Sequence, residues 1–330
     1  MPRPARLSVI ADQIGVSTAT VSKALAGKKG MSDALRDKIR ETASALGYES
    51  PSGERVKTGN IGILVEQRFL NDTISFYWNM YRRLMAFLKD EAHFGILEVI
   101  STGDEKNLVL PGLFQENKTD GIIVLGNINR EYRHFIFSAA AERGKPLVFL
   151  DSDEARMDSL CIISDGYDGM YAMTRYLTGM GHRDIRFVGS IDATSSILDR
   201  YYGYNRALKE IGLDAPQPIP DRDGNGVIGI ALPENLPTAF ACNCDSTAAH
   251  LIGILKKQNL NVPEDISVVG FDDYLFPGFC RVPLTTWAID MDAMAHSSVD
   301  IITGKTSRAE PGVLVIKGRM VIRDSVRQLN

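Results

Sequence analysis

Two sets of residues have types and spacings that could do chemistry. Thr18, Ala19, Thr20, Ser22 and Lys23 fall within one short stretch. A lysine can donate to guanine O6 and N7, and a threonine or alanine methyl can meet the methyl of thymine. The second set is dispersed: Asp151, Arg200, Asp245 and Asp272, with the adjacent aromatics Phe76 and Tyr77. Ionised carboxylates only accept hydrogen bonds and a guanidinium only donates, so together they can hold hydroxyl groups while rings cover C–H faces. Neither set has metal-ligand spacing. Cys242-x-Cys244 lacks a second Cys or His pair nearby, and the five histidines are scattered. There is no glycine-rich phosphate loop and no Gly-x-Ser-x-Gly elbow. No cofactor or metal is expected.

The first set needs a rigid support. Ile10, Ala11 and Ile14 line one face of a first short helix. Gly15 permits a left-handed turn, and Ser17 can cap the next helix. Val21 and Leu25, four apart, anchor that helix inward, leaving Thr18, Ala19, Ser22 and Lys23 outside. Lys28 and Lys29 follow, and Ser32 can cap a third helix carrying Leu35, Ile39, Ala43 and Leu46, which ends at Gly47-Tyr48. An ordinary helical hairpin would share the turn. The third helix favours a helix-turn-helix, whose second helix enters the DNA major groove by its N-terminal residues. Charge agrees. Residues 1–60 carry 10 Lys and Arg against 6 Asp and Glu, while the remainder carries 27 against 35. A basic head on an acidic body suits a nucleic-acid-reading module joined to something that does not bind DNA.

The second set requires a larger scaffold, and 330 residues suffice for two or three domains. Residues 51–60, with Pro51 and Gly53, read as a linker. From Ile61 the pattern alternates strand and helix. Strands are expected at 61–65, 95–100, 121–125, 146–150, 160–164, 185–189, 238–242 and 266–270, with helices at 76–92, 105–116, 131–143, 169–180, 199–211 and 246–258. A helix near 292–303 and strands near 312–323 complete the chain. Such alternation builds parallel sheets covered on both faces, with ligands at the strands' carboxyl ends. The interval 212–238 is crowded with proline and glycine, so a strand at 227–232 is expected there and a full helix is not. No apolar run reaches the ~18–20 residues that span a bilayer. The N-terminus lacks the apolar stretch of a signal peptide, and a cytoplasmic protein without membrane contact is expected.

Residues 7–48 resemble the headpiece of the lactose-repressor (LacI/GalR) family. The resemblance rests on Ala11, Gly15-Val16-Ser17, Thr20-Val21-Ser22, Ser32, Arg36, Ile39, Ala43 and Leu46-Gly47-Tyr48, and the remaining chain is similar too. It implies an α-helical helix-turn-helix headpiece (1–50), a hinge linker (51–60) and an α/β two-lobed, periplasmic-binding-protein-like (type I) effector domain with parallel sheets (61–330). Lobe 1 would comprise 61–163 and 291–330, and lobe 2 164–290. The resemblance also implies a transcriptional repressor that binds double-stranded operator DNA as a homodimer and responds to a carbohydrate-like effector between the lobes. Candidate DNA contacts are Thr18, Ala19, Thr20, Ser22, Lys23, Ser32 and Val56. The family's hinge leucine is absent, leaving Val56 as the one plausible minor-groove wedge beside the alternative of a plain tether.

For the effector, Arg200-Tyr201-Tyr202-Gly203-Tyr204 is similar to the family's Arg-x-x-Gly-aromatic motif. Asp272 in Val-Gly-Phe-Asp-Asp and Asp151 after Val-Phe-Leu match positions at the family's pocket. Candidate effector residues are Phe76, Tyr77, Asp151, Arg200, Asp245 and Asp272. Cys244 stands where the family carries an effector-contacting asparagine, so no particular ligand is inherited. Asp245 has a second reading as a helix-start residue. Two rival functions remain open at this point. One is a solute-binding protein, which would need a signal peptide and no headpiece. The other is a sugar-processing enzyme using Asp151, Asp245 and Asp272 as acid and base.

Overall fold

A computed structural model describes residues 7–25, 31–32, 35–36, 38–39, 42–43, 59–71, 75–115, 118–153, 159–223, 228–274, 278–306 and 311–329. They fall into two compact units divided after Thr58. In the first, α1 (Leu7–Ile14) and α2 (Thr18–Leu25) flank the turn. Gly15 sits at φ +78°, where an L side chain is strained. The Ser17 hydroxyl accepts the Thr20 N–H at 3.1 Å, as an N-cap should. Ile10, Ala11, Val21, Ala24, Ile39 and Ala43 form a small core, and Ser32 accepts the Leu35 N–H at 3.3 Å. Lys28, Lys29, the Leu46–Tyr48 stretch and Val56, with most of the linker, lie outside the described residues.

The second unit has two sheets. The first runs in the order β10-β5-β4-β3-β1-β2, from β1 (Asn60–Glu66), β2 (Phe94–Ile100), β3 (Gly121–Leu125), β4 (Leu147–Leu150), β5 (Leu160–Ser164) and β10 (Gly312–Ile316). All its pairings are parallel. Alternation along the strands divides its side chains between two faces. Ile61, Ile63 and Val65 pack under α3 (Phe76–Asp90) and α9 (Met291–Ile302). Leu64, Ile122 and Phe149 pack under α5 (Arg130–Glu142).

The second sheet runs β11-β9-β8-β7-β6, from β6 (Ile185–Val188), β7 (Ala239–Cys242), β8 (Ser267–Asp272), β9 (Thr285–Ala288) and β11 (Arg319–Val321). Here α6 (Gly166–Gly179) and α7 (Ser195–Lys209) cover one face and α8 (Asp245–Lys257) the other.

Four expectations need correction. The helix expected at 105–116 is a five-residue helix, α4 (Thr102–Lys106), plus a 3-10 turn at Gly112–Phe114. Ser101 and Asp104 form a capping box that starts the helix early, and the chain leaves it at Leu108, with φ +52°. Helix α7 begins a turn before residue 199, because Thr194 caps it through the Ile197 N–H at 3.2 Å.

The expected strand at 227–232 reduces to a single bridge, Arg222 with Ile228. No helix occurs among the described residues of that interval. Lastly, residues 291–330 do not all return to the first lobe. β10 does, but β11 pairs antiparallel with β9 in the second sheet. Ser325 and Arg327 then bond to Val268 and Ser267. The chain therefore crosses between lobes three times, after β5, β9 and β10. Asp165 holds two of these crossings together, accepting from the Trp287 indole and the Gly318 N–H, both at 3.0 Å.

Candidate functional site

The carboxyl ends of both sets of parallel strands face a cleft of about 580 Å³ between the lobes, within the usual range for small-molecule sites. Ser75 caps α3 through the Trp78 N–H at 3.2 Å, setting its first turn at the rim. Phe76 and Tyr77 both line the cleft, whereas Trp78 is tied by its indole to the Leu70 carbonyl at 3.2 Å. The Phe69 and Tyr77 rings lie 4.3 Å apart, and Phe76 meets Tyr274 of the other lobe edge-on at 6.1 Å. An apolar wall thus continues across the two lobes.

The two central carboxylates stand on strained backbone. Asp151 has φ +61° and Asp272 φ +103°, conformations that cost roughly 1–3 kcal/mol and concentrate at functional sites. Asp151 accepts the Tyr77 hydroxyl at 3.0 Å with one oxygen, while its other oxygen is buried without a hydrogen-bond partner. Burial pushes the Asp151 carboxyl up to about 6, against the pull of Arg200 and Tyr77.

Arg200 donates to the Asn243 carbonyl at 2.6 Å and lies 3.1 Å from Asp272, stacked 4.1 Å over Phe271. The ion pair lacks hydrogen-bond alignment. Asp272 Oδ1, Arg200 Nε and Asn243 Oδ1 are all buried without a hydrogen bond. Burial outweighs Arg200 and lifts Asp272 to about 7, with Asp151 adding to the rise. Gly203 has a specific task here. A Cβ at that position would strike the Tyr167 carbonyl of α6, so glycine lets α7 lie close enough to present Arg200.

Asp245 does not join this group. Although buried, it accepts from the Thr286 hydroxyl at 2.6 Å and the Asp273 N–H at 2.9 Å. It ties β9 to the end of β8 and lies outside the cleft lining. An acid/base role beside Asp151 and Asp272 is thereby removed.

The sequence reading missed a second buried cluster. Asp221, in the proline-rich interval, accepts from Arg222 at 2.6 Å, Thr247 at 2.6 Å, Asn243 at 3.1 Å and the Ser190 N–H at 2.9 Å. Burial alone would raise its carboxyl, but Arg222 and these donors hold it down at about 2. Arg222 and Asn243 both line the cleft. A polar Asp-Arg pair amid prolines was the available signal.

Asp151→Asn should stabilise the ligand-free domain at pH 8 and leave it unchanged at pH 3. The wild-type carboxyl is held above its ordinary value of ~3.9, so its contribution is full below that value and lost as pH rises through about 6. Thermal unfolding of both proteins across pH tests this; a destabilised variant at pH 8 would show that Asp151 is a structural anchor.

In the headpiece, Thr18, Ala19, Ser22 and Lys23 are exposed on α2. Thr20 is half-buried, with its hydroxyl 2.8 Å from that of Ser17. Ser32 is exposed but committed to its cap.

Known proteins resemble both units. Residues 7–51 match the model for bacterial regulatory proteins of the lacI family, and residues 174–326 match the periplasmic binding protein-like domain. The chain is 24% identical over 341 residues to the HTH-type transcriptional repressor PurR of Glaesserella parasuis serovar 5, covering 99% of each. Among solved structures, the complex of the transcriptional regulator CelR with cellobiose has TM-score 0.65 at 20% identity, over 97% of this chain and 99% of that one. The Lac repressor dimer bound to operator and the anti-inducer ONPF also gives 0.65 at 20%, over 98% and 100%. These two likenesses concern the fold.

Proposed function

Because the chain belongs to the lacI family of bacterial regulatory proteins, we propose that it is a DNA-binding transcriptional repressor governed by a small polyhydroxylated effector, a sugar or sugar derivative. One observation carries the effector reading. Four buried polar atoms without a hydrogen bond, on Asp151, Asp272, Asn243 and Arg200, belong to residues lining one cleft with aromatic walls, the Asp272 oxygen being the one paired in charge with Arg200. Three are acceptors and one is a donor, which suits a ligand rich in hydroxyls. Cellobiose in the CelR complex is a ligand of that kind within the same fold. Ligand that binds one lobe angle better shifts the population toward it, and the coupling to operator affinity is reciprocal.

The operator is read by α2 of a homodimer on a pseudo-palindromic site, because one small headpiece reads too few base pairs. This activity belongs in the cytoplasm with the chromosome. Lys23→Ala is expected to cost roughly 1–3 kcal/mol and to relax preference at one symmetric base pair. Titration of the variant against operator variants tests it. An equal loss on every sequence would assign Lys23 to a phosphate. Wild-type binding should also weaken steeply as salt rises.

A further inference from the structure

The charges of the cleft do not balance around its centre. Asp151 and Asp272 approach from opposite lobes, both buried, and Arg200 acts on each, with Arg222 acting on Asp272 as well. The other guanidiniums of the lining are already matched: Arg222 lies 2.6 Å from Asp221 and Arg68 3.1 Å from Glu66. Asp199, beside Arg200, adds a third carboxyl, raised to about 6 by burial and by Asp153. Arg200 is therefore divided among three carboxyl groups, whereas Arg222 also acts on Asp272, so that Asp151 is the buried carboxyl whose one acting cation is shared.

We propose that the effector carries a positively charged amine on its polyhydroxylated frame, and that this amine is received by Asp151 Oδ1. The proposal rests on the reading of the cleft as the effector site. A neutral ligand would leave a buried carboxylate uncompensated, which is costly in low dielectric. An ammonium offers three donors and no acceptor, so it matches an oxygen that lacks a donor. The Tyr77 ring, bonded to Asp151 through its hydroxyl and tilted 42° against Phe69, adds an aromatic face that attracts a cation, while Phe69 already carries Arg68 at 4.9 Å. An anionic ligand meets like charge on both lobes. The raised carboxyls agree: without a cationic guest, a proton takes the same place.

Calorimetric titration of the full-length protein at pH 7.5 tests this with matched quartets of amine, N-acetylated amine, hydroxyl and carboxylate, on pentose, hexose and disaccharide frames. The tightest ligand should be an amine. N-acetylation or replacement by hydroxyl should weaken it roughly tenfold or more, and Asp151→Asn should reduce the amine-over-hydroxyl preference by about the same factor. A hydroxyl or carboxylate member binding best in its quartet overturns the proposal and leaves the effector cleft standing. An amine preference unchanged in Asp151→Asn overturns the assignment to that oxygen. Binding by no member of any quartet overturns both this proposal and the polyhydroxylated-effector reading.

Discussion

Asp221→Ala is expected to destabilise the effector domain by about 3–5 kcal/mol, the scale for breaking a buried charge pair. The substitution strands the Arg222 guanidinium, the Thr247 hydroxyl, the Asn243 amide and the Ser190 N–H together. Asp221→Asn keeps the shape but loses the charge, and should cost roughly 1–3 kcal/mol. The pH dependence follows from the direction of the shift. The carboxyl lies below its ordinary value, so its contribution is full above pH ~4 and is lost as pH falls through about 2. Urea unfolding of the three proteins at pH 7 and pH 3 measures both effects. A loss under ~1 kcal/mol for the alanine variant would mean that water replaces Asp221 without penalty and that the proline-rich segment is not held by it.

The second large effect is expected at Asp272. Asp272→Ala removes an acceptor from the ligand and takes from Arg200 its ion-pair partner, leaving the Asn243 carbonyl and the Phe271 ring. Effector affinity should fall by about 2–5 kcal/mol, the usual result of truncating one partner of a buried charge pair. Operator binding without effector should persist, because α2 belongs to the other unit. Calorimetry alongside operator titration separates the two. Equal effector affinity in wild type and variant would remove Asp272 from the site, and a simultaneous loss of operator binding would point to misfolding. The wild-type carboxyl, lifted to about 7, contributes stability that is full at low pH and lost as pH rises toward neutrality. Effector affinity at this residue is thus opposed to ligand-free stability.

Much of this was legible in the chain. The alternation of apolar runs revealed the parallel sheets, because strands buried on both faces read as continuous Val, Ile and Leu. Caps and turns marked the headpiece, where Ser17 and Gly15 have few alternatives. Arg200, Asp151, Phe76, Tyr77 and Asp272 were singled out because ligands gather after strand ends and because the family resemblance pointed to three of them, and all five line one cleft. Three things were hidden. β9 follows a segment with no helix among its described residues, so it lacks the alternation that exposes its neighbours. Asp245 looked like a cleft residue because it follows β7, but a side chain's direction at a helix start is settled by partners more than 25 positions away. Asp221 and Arg222 lie in a segment with no regular period, and only three-dimensional contacts give them a role.

The last strands have a consequence for how the protein is made. Translation delivers residues in order, and domains close as their parts emerge. The described core of the headpiece draws on Ile10 to Ala43, all near the start of the chain. Neither sheet is complete until β10 and β11 have been synthesised. A ribosome that stops before residue 312 would release a finished DNA-reading head on an unfinished body, with β5 and β9 exposing open edges. Such edges invite aggregation and proteolysis. The arrangement therefore couples the survival of the reading head to the synthesis of the part that regulates it, so that truncated products should be cleared before they can occupy operators.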